Sequence, residues 1–378
     1  MAAETASFNL RMAVDGTVIV GMEPAKASRI EWGAVVNLDL GKVCGKVRFM
    51  MPFCFSSSPL SPQPPSPPRV YQVWPAKNVF FLDGRVICGP DPRGLILTAT
   101  AILLSEWIFL ARIVDPSSTM HPILISASSM ILAATVTASL LLTATRDPGI
   151  IPRNPVSPSE DGITTARMAP DRFIIVNGIE TRLEFCRICK IFRPPRSSHC
   201  AVCDNCVDKF DHHCLWISQC IGRRNYRFYL LLMCLALAFY SFIFTFSVIR
   251  IRAKIGATSA GLFSLLRTLP ETFVLAAFSF MAICFLAFLL AFHAFLVAKN
   301  KTSNERHKGQ YRSSPNPYDK GALKNIKECL FEKLPPQGVD FRAAAEPNLG
   351  LAARTATSFP SPSSDDAGQV LQLQDARS

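Results

Sequence analysis

Apolar residues in this chain collect into long unbroken runs, not at the spacing of half-buried strands or amphipathic surface helices. Residues 95–111 (LILTATAILLSEWIFLA), 122–145, 228–249 and 272–298 each approach the length needed to cross a bilayer core, about 30 Å at 1.5 Å per residue. The third and fourth runs contain no Asp, Glu, Lys or Arg. The first is shorter and includes Glu106, a residue that adds about 2.5–3.5 kcal/mol to insertion at a helix centre. Its carboxyl either faces the interior of a bundle or sits near an interface beside Trp107. Length favours four membrane spans over four buried helices of a soluble protein.

Punctuation between the runs divides the chain. Residues 1–68 are unassigned: they show no clear period and end in the Ser/Pro linker SSSPLSPQPPSPP at 56–68. Residues 1–20 lack a basic start followed by an apolar block, so no secretory signal is read there. A pre-membrane segment occupies 69–93, and spans one and two occupy 94–146, ending at Asp147-Pro148-Gly149, where Pro and Gly stop a helix. A cysteine-rich module fills 147–227, and spans three and four follow at 228–298. A basic tail covers 299–334, and residues 335–378, rich in Ala, Ser and Pro, are expected to be disordered. No internal repeat is read.

Charge orients this layout. The net charge is +12, and thirteen Lys/Arg fall in 146–227, against one in 112–121 and four in 250–271. The positive-inside rule therefore places the module and both termini in the cytosol. Thiols stay reduced there, so dense cysteines read as metal ligands or nucleophiles and not as disulfides. The basic balance suits anionic lipid. It would also suit nucleic acid, but the module lacks interleaved stacking aromatics and a recognition helix, so no nucleic-acid partner is expected.

Seven of the thirteen cysteines and three of the six histidines fall within 186–220. The order is Cys186-x-x-Cys189, then His199-Cys200-x-x-Cys203-x-x-Cys206, then Asp211-His212-His213-Cys214, then Cys220. Paired Cys-x-x-Cys is the strongest zinc signature, and zinc takes four tetrahedral ligands. Ten candidates exceed the eight that two ions need. Neighbours in an extended chain point to opposite faces, so His199 and Cys200 belong to different ions, as do His213 and Cys214. Two interleaved structural sites follow: Cys186, Cys189, His199 and Cys206 for one, and Cys200, Cys203, His213 and Cys220 for the other. His212 and Cys214 are left over beside Asp211. A spare cysteine with a histidine and a carboxylate is the pattern of nucleophilic catalysis. Counting also allows one all-cysteine site beside one site of three cysteines and a histidine, which would leave no nucleophile.

From about Arg69 to Leu330 the chain resembles the Asp-His-His-Cys (DHHC) protein S-acyltransferases, or palmitoyltransferases. The resemblance rests on the cysteine spacing, on DHHC at 211–214, on CIGRRN at 220–225, on Asp147-Pro148-Gly149 and on the four-span layout. RVYQVWP at 69–75, RPPRSSHC at 193–200 and NPYDKG at 316–321 look like plant members. It implies an α-helical polytopic membrane protein: four transmembrane helices with a cytosolic two-zinc module between spans two and three. It also implies Cys214 as the acyl-accepting nucleophile, His212 as its base and Asp211 as the orienting acid. The co-substrate implied is a long-chain acyl-CoA such as palmitoyl-CoA, and the acceptors are cysteines of substrate proteins near the cytosolic membrane face. Arg193, Arg196, Arg223 and Arg224 become candidates to meet CoA phosphates. The setting implied is an endomembrane (Golgi or ER-derived vesicles) or the plasma membrane. Three departures stand out: Leu215 replaces the usual proline after DHHC, Ser218 replaces glycine before Gln-Cys, and Thr302-Ser303-Asn304-Glu305 replaces Thr-Thr-x-Glu. A catalytically silent membrane zinc-finger adaptor is the competing reading. His293 is read as a packed or capping residue, and Cys329 on the basic tail as a candidate acylation target of its own.

Overall fold

A computed structural model describes residues 67–114, 121–154, 172–258 and 262–345, together with the backbone of three short strands near the start of the chain. Two units divide the chain, Met1–Pro65 and Ser66–Ser378. In the first, β1 (Asn9–Met12), β2 (Val18–Gly21) and β3 (Ala34–Val36) pair antiparallel in that order.

The second unit opens with the hairpin β4 (Val79–Phe81) and β5 (Val86–Cys88), which leads into α1 (Arg93–Ile108). The helix α2 (Pro122–Thr145) starts with proline at its first turn, where the missing N–H has no helical acceptor anyway. It stops just before Asp147-Pro148, because a residue preceding proline is pushed out of the α region. Three small antiparallel hairpins then build the cysteine-rich module, and α3 (Tyr226–Thr258) leaves it. A short helix α4 (Leu262–Thr268) precedes α5 (Pro270–Ala298), which again begins on proline. Two further helices, α6 (Ser303–His307) and α7 (Ala322–Phe331), follow it.

Four stretches, Arg93–Ile113, Pro122–Thr145, Tyr226–Ala257 and Pro270–Ala298, are long and apolar enough to cross a membrane. They coincide with the four runs read from the sequence: the second has the same bounds, the first, third and fourth begin two residues earlier, and the third runs on to Ala257. The central helix α3 packs against α2 and α5. Its core contacts include Val136, Leu140, Met233, Phe239, Ile243 and Leu275, while Leu103, Leu104, Ile123, Phe280 and Phe288 stay exposed on the outside. An apolar outer surface of this kind fits a lipid solvent. The first span ends in a π-turn, Phe109–Ile113, which widens the helix so that buried Phe109 lies against Phe242 and Phe246. Arg250 Nη1 donates to the Ile113 carbonyl freed there, at 2.9 Å. Glu106 faces inward: it is 8% exposed and accepts from Ser129 Oγ at 2.9 Å, while Trp107 is 63% exposed.

Residues 335–345 are folded, contrary to the disorder expected from Pro335 onward. Val339 and Phe341 are buried against Trp74, Ile87 and Ile150, and the Phe341 and Ala343 carbonyls accept from the Tyr71 and Val70 N–H groups. Two apolar residues among Pro, Gly and Ala make too short a pattern to read locally; the residues that cover them, Trp74, Ile87 and Ile150, lie far earlier in the chain. Residues 346–378 lie outside the described residues.

Candidate active site

The module is a threefold repetition that the sequence reading missed. The hairpins are β8 and β9 (Phe185–Cys186 and Ile191–Phe192), β10 and β11 (Ser198–Cys200 and Asn205–Val207), and β12 and β13 (His212–Cys214 and Gln219–Ile221). An additional hairpin, β6 (Arg172–Val176) and β7 (Ile179–Leu183), precedes them. The sequences FCRICKIF (185–192), HCAVCDNC (199–206) and HCLWISQC (213–220) align at a spacing of 14 residues. Their turns share a backbone: Lys190, Asp204 and Ser218 occupy equivalent positions and all have positive φ, between 56° and 57°. The pairing registers correspond as well, Cys186 with Ile191, Cys200 with Asn205 and Cys214 with Gln219. The period of 14 residues is below the 20–50-residue periods that mark repeat folds.

This repetition explains the ligand arithmetic. A turn contributes Cys-x-x-Cys, and the following hairpin contributes a cross-strand His–Cys pair. Cys186 and Cys189 thus meet His199 and Cys206, which oppose each other across β10–β11. Cys200 and Cys203 meet His213 and Cys220, opposed across β12–β13. The alternative with one all-cysteine site is not formed. Thiol sulfurs lie 3.5–3.8 Å from His199 Nδ1 in the first cluster and 3.4–3.7 Å from His213 Nδ1 in the second. A tetrahedral ion with metal–sulfur bonds of about 2.3 Å has edges of about 3.5–3.8 Å, so both donor sets fit a metal of zinc's size. The Asp204 carboxylate lies 3.4 Å from His199 Nε2 without making a hydrogen bond to it.

The third turn has no such partner. The position of its second cysteine is Ile217, and Cys214 belongs to neither cluster. Residues i and i+2 of a strand share a face, so β12 turns His213 to the metal cluster and sends His212 and Cys214 the other way. Cys214 is buried with Ile217, Ile221 and Tyr229 in the core of the helical bundle. His212 Nδ1 donates to Asp211 Oδ2 at 2.7 Å, which leaves Nε2 for the thiol. Asp211 is buried, and its second oxygen accepts from the Ser303 N–H at 2.8 Å. Burial opposes charge on both groups. The mutual hydrogen bond and ion pairing overcome it, with help from Ser303 for Asp211 and from Cys214 for His212. Asp211 is therefore held below its usual pKa, and His212 is raised to about 9.

Polar groups dock the module on the spans. Buried Gln219 donates to the Ile87 carbonyl and accepts from Cys220 N. Asn225 donates to the carbonyls of Thr143 and Cys220 and accepts from Gly222 N. The Asp147 carboxylate caps the turn after α2 by accepting from the N–H groups of Gly149 and Ile150. Gly94 admits the third turn: a Cβ there would stand 1.6 Å from the Leu215 carbonyl oxygen. On the other side, Thr302 caps α6 and forms a capping box with Glu305, which aims the Ser303 N–H at Asp211.

The departures from the family pattern sit where they do little harm. Leu215 is 75% exposed on the turn. Ser218 accepts from the Leu95 N–H at 3.0 Å, capping the first turn of α1. Ser303 serves through its backbone, so the lost methyl group leaves the contact with Asp211 intact.

Each of the four arginines read as phosphate contacts also has an acidic partner, and two of them, Arg196 and Arg223, line a cavity. Arg196 forms a two-pronged ion pair with Glu305 at 2.7 and 2.9 Å and donates to Asn300. Arg224 pairs with Asp147 at 3.3 Å and donates to the Pro335 carbonyl, and Arg193 pairs with Glu184. Arg223, paired with Asp208 at 3.3 Å, lines a cavity of about 450 Å³ with Lys209, Arg227, Lys301 and Lys333. The sequence reading singled out none of these lysines, nor Arg227. Gln219 and Asn225 stand in quoted motifs but were given no role there, and Tyr229 was not singled out: single polar residues carry no periodic signal.

Comparison with known proteins agrees with this geometry. The family described as DHHC palmitoyltransferase matches residues 179–310. "Probable protein S-acyltransferase 7" of Arabidopsis thaliana is 35% identical over 81% of this chain and 72% of its own length. "Probable protein S-acyltransferase 1" is 36% identical over 72% and 85%, and "Protein S-acyltransferase 8" is 35% identical over 74% and 73%, both also from Arabidopsis thaliana. The likeness extends through spans and module alike, and the tetrapeptide that labels the family stands where the third turn leaves its cysteine unclaimed; the chain belongs to the DHHC palmitoyltransferase family.

Proposed function

We propose that this protein is a protein-cysteine S-palmitoyltransferase that moves a long-chain acyl group from acyl-CoA, through Cys214, to cysteines of substrate proteins. One observation carries the reading: Cys214 belongs to neither metal cluster and shares a strand face with His212, which is hydrogen-bonded to buried Asp211. Asp211 fixes the Nδ1–H tautomer, and Nε2 takes the Cys214 proton. The thiolate attacks the thioester carbonyl, the carbonyl electron pair moves to oxygen, and collapse expels CoA as a thiolate that takes the proton back from His212. In the second half a substrate cysteine, deprotonated by His212, attacks the Cys214 thioester and releases the enzyme thiol. Thioester replaces thioester, so no nucleotide is consumed. Two zinc ions would be held by Cys186, Cys189, His199 and Cys206 and by Cys200, Cys203, His213 and Cys220, and would supply rigidity to the hairpins that carry β12.

The membrane setting answers a physical need. At about 0.8 kcal/mol per buried methylene, a sixteen-carbon chain prefers apolar surroundings by roughly 10 kcal/mol. A nucleophile buried where the module meets the bundle can acylate without extracting the chain into water. The basic residues of the cavity, Lys209, Arg223, Arg227, Lys301 and Lys333, offer the charge that CoA phosphates require. The module faces the cytosol, where acyl-CoA and reduced substrate thiols are found, in an endomembrane or the plasma membrane. The test is incubation of purified protein with labelled palmitoyl-CoA. A hydroxylamine-sensitive label on wild type, absent from Cys214→Ser, is expected; equal labelling of the two would leave the silent adaptor as the better reading.

A further inference from the structure

Behind the dyad lies a second set of polar groups that acyl transfer, as described, does not use. His293 of α5 is 1% exposed, inside an apolar bundle. Its Nδ1 lies 2.9 Å from the Tyr226 hydroxyl, and its Nε2 lies 3.5 Å from the Tyr229 hydroxyl. The Tyr229 ring stands edge-on against His212, with centroids 5.4 Å apart, and belongs to the same buried cluster as Cys214. Tyr226 faces the opposite way, into the polar cavity with Asp211, Asn300 and Thr302.

Hydrogen-bond accounting decides what this arrangement can do. A neutral imidazole has one N–H and one bare nitrogen, so it accepts from one phenol and donates to the other. No carboxylate among the described residues is hydrogen-bonded to His293, and a charged ring buried without one would be costly. The shorter contact is Tyr226 O–H donating to Nδ1. Nε2–H then donates to the Tyr229 oxygen, at a distance loose enough to hold that oxygen without tying down its proton. One phenolic O–H is left free, on the side of the bundle that holds Cys214.

Resting on the acyl-transfer reading, we infer that the Tyr229 hydroxyl donates a hydrogen bond to the thioester oxygen as negative charge develops there. His293 is its positioning residue and Tyr226 the anchor of His293. No proton changes hands at Tyr229. The Cys214–carbon bond forms, the carbonyl pair becomes an oxyanion facing the phenol, and the bond to CoA sulfur then breaks as that pair returns. A donor aimed at charge that appears only in the transition state raises the rate without tightening substrate binding.

The experiment is single-turnover acylation of detergent-purified full-length protein by labelled palmitoyl-CoA, with Cys214→Ser as blank. Tyr229→Phe keeps the ring and its packing, so fold and metal content should hold. Its maximal acylation rate should fall about tenfold with the half-saturating acyl-CoA concentration unchanged, the scale of one hydrogen bond made mainly in the transition state. His293→Leu should show a similar loss, and His293→Gln should recover part of it, because its amide N–H reaches the same phenol. A Tyr229→Phe variant that acylates at the wild-type maximal rate, or that loses only apparent affinity, overturns the inference and leaves the acyltransferase reading standing. Failure of the wild type to acylate Cys214 overturns both.

Discussion

Replacing Glu305 by alanine tests whether the segment after the fourth span holds the Asp211 carboxylate in place. Glu305 is 1% exposed and Arg196 7%, so the pair is effectively out of water. Besides its two oxygens on Arg196, Glu305 closes the capping box by accepting from the Thr302 N–H at 2.8 Å. Truncation therefore leaves a buried guanidinium without its counter-ion, a loss of about 3–5 kcal/mol for a pair broken on one side. It also frees α6 to rotate, which withdraws the Ser303 N–H from Asp211. Arg196→Met alone should cost a similar amount, for the mirror-image reason. The double variant Arg196→Met with Glu305→Met should regain most of the lost stability, because a well-packed apolar pair often matches a buried ion pair. It should not regain full acylation, since the capping box stays open. Thermal unfolding in detergent and the rate of Cys214 acylation, measured on all four proteins, separate the two effects. If Glu305→Ala unfolds within about 1 kcal/mol of wild type and acylates at full rate, the segment is not a lock and the reasoning fails.

Three other expectations follow from named contacts. Cys186→Ala should lower bound zinc from two ions per chain toward one and unfold the first hairpins, since such sites hold about 10 kcal/mol of folding free energy; Cys214→Ala should keep both ions, as metal analysis and proteolysis will show. Gly94→Ala should impair acylation by more than tenfold, because the new Cβ meets the Leu215 backbone 1.6 Å away and must push the turn carrying Cys214 off the start of α1; wild-type rates in that variant would mean the turn and helix are not tightly docked. Ile217→Cys restores the missing thiol of the third turn. Acyl labelling of the protein should fall as Cys214 is shared with metal or disulfide, and unaltered labelling under zinc and mild oxidant would deny the turns chemical equivalence.

Much of this was legible in the residue order. Spans three and four could be read from length and the absence of charge alone, because lipid asks nothing of a helix but apolar side chains. The two metal sites were legible because alternation in an extended chain separates His199 from Cys200 and His213 from Cys214. Other readings depended on distant partners. Arg196 reads as a candidate for CoA phosphates, and nothing near it in the chain points to Glu305, the counter-ion 109 residues later. Val339 and Phe341 looked like part of a disordered tail until Trp74 and Ile87 covered them. The inward aim of Glu106 was undecidable without Ser129 on the neighbouring helix.

The sequence alone determined which atoms could do chemistry here: ten soft or borderline ligands, eight of them claimable by two ions, and four runs able to lie in lipid. Counting left open which cysteine was free, because a ligand's identity depends on which strand opposes it, and strand register is a tertiary fact. Three hairpins with equivalent turns bring eight of the ten candidates into two clusters and leave Cys214 and His212 outside both. The third turn lacks its second thiol, and among the described residues no fourth hairpin follows it to supply a His–Cys pair, so Cys214 faces the bundle with His212 and neither cluster.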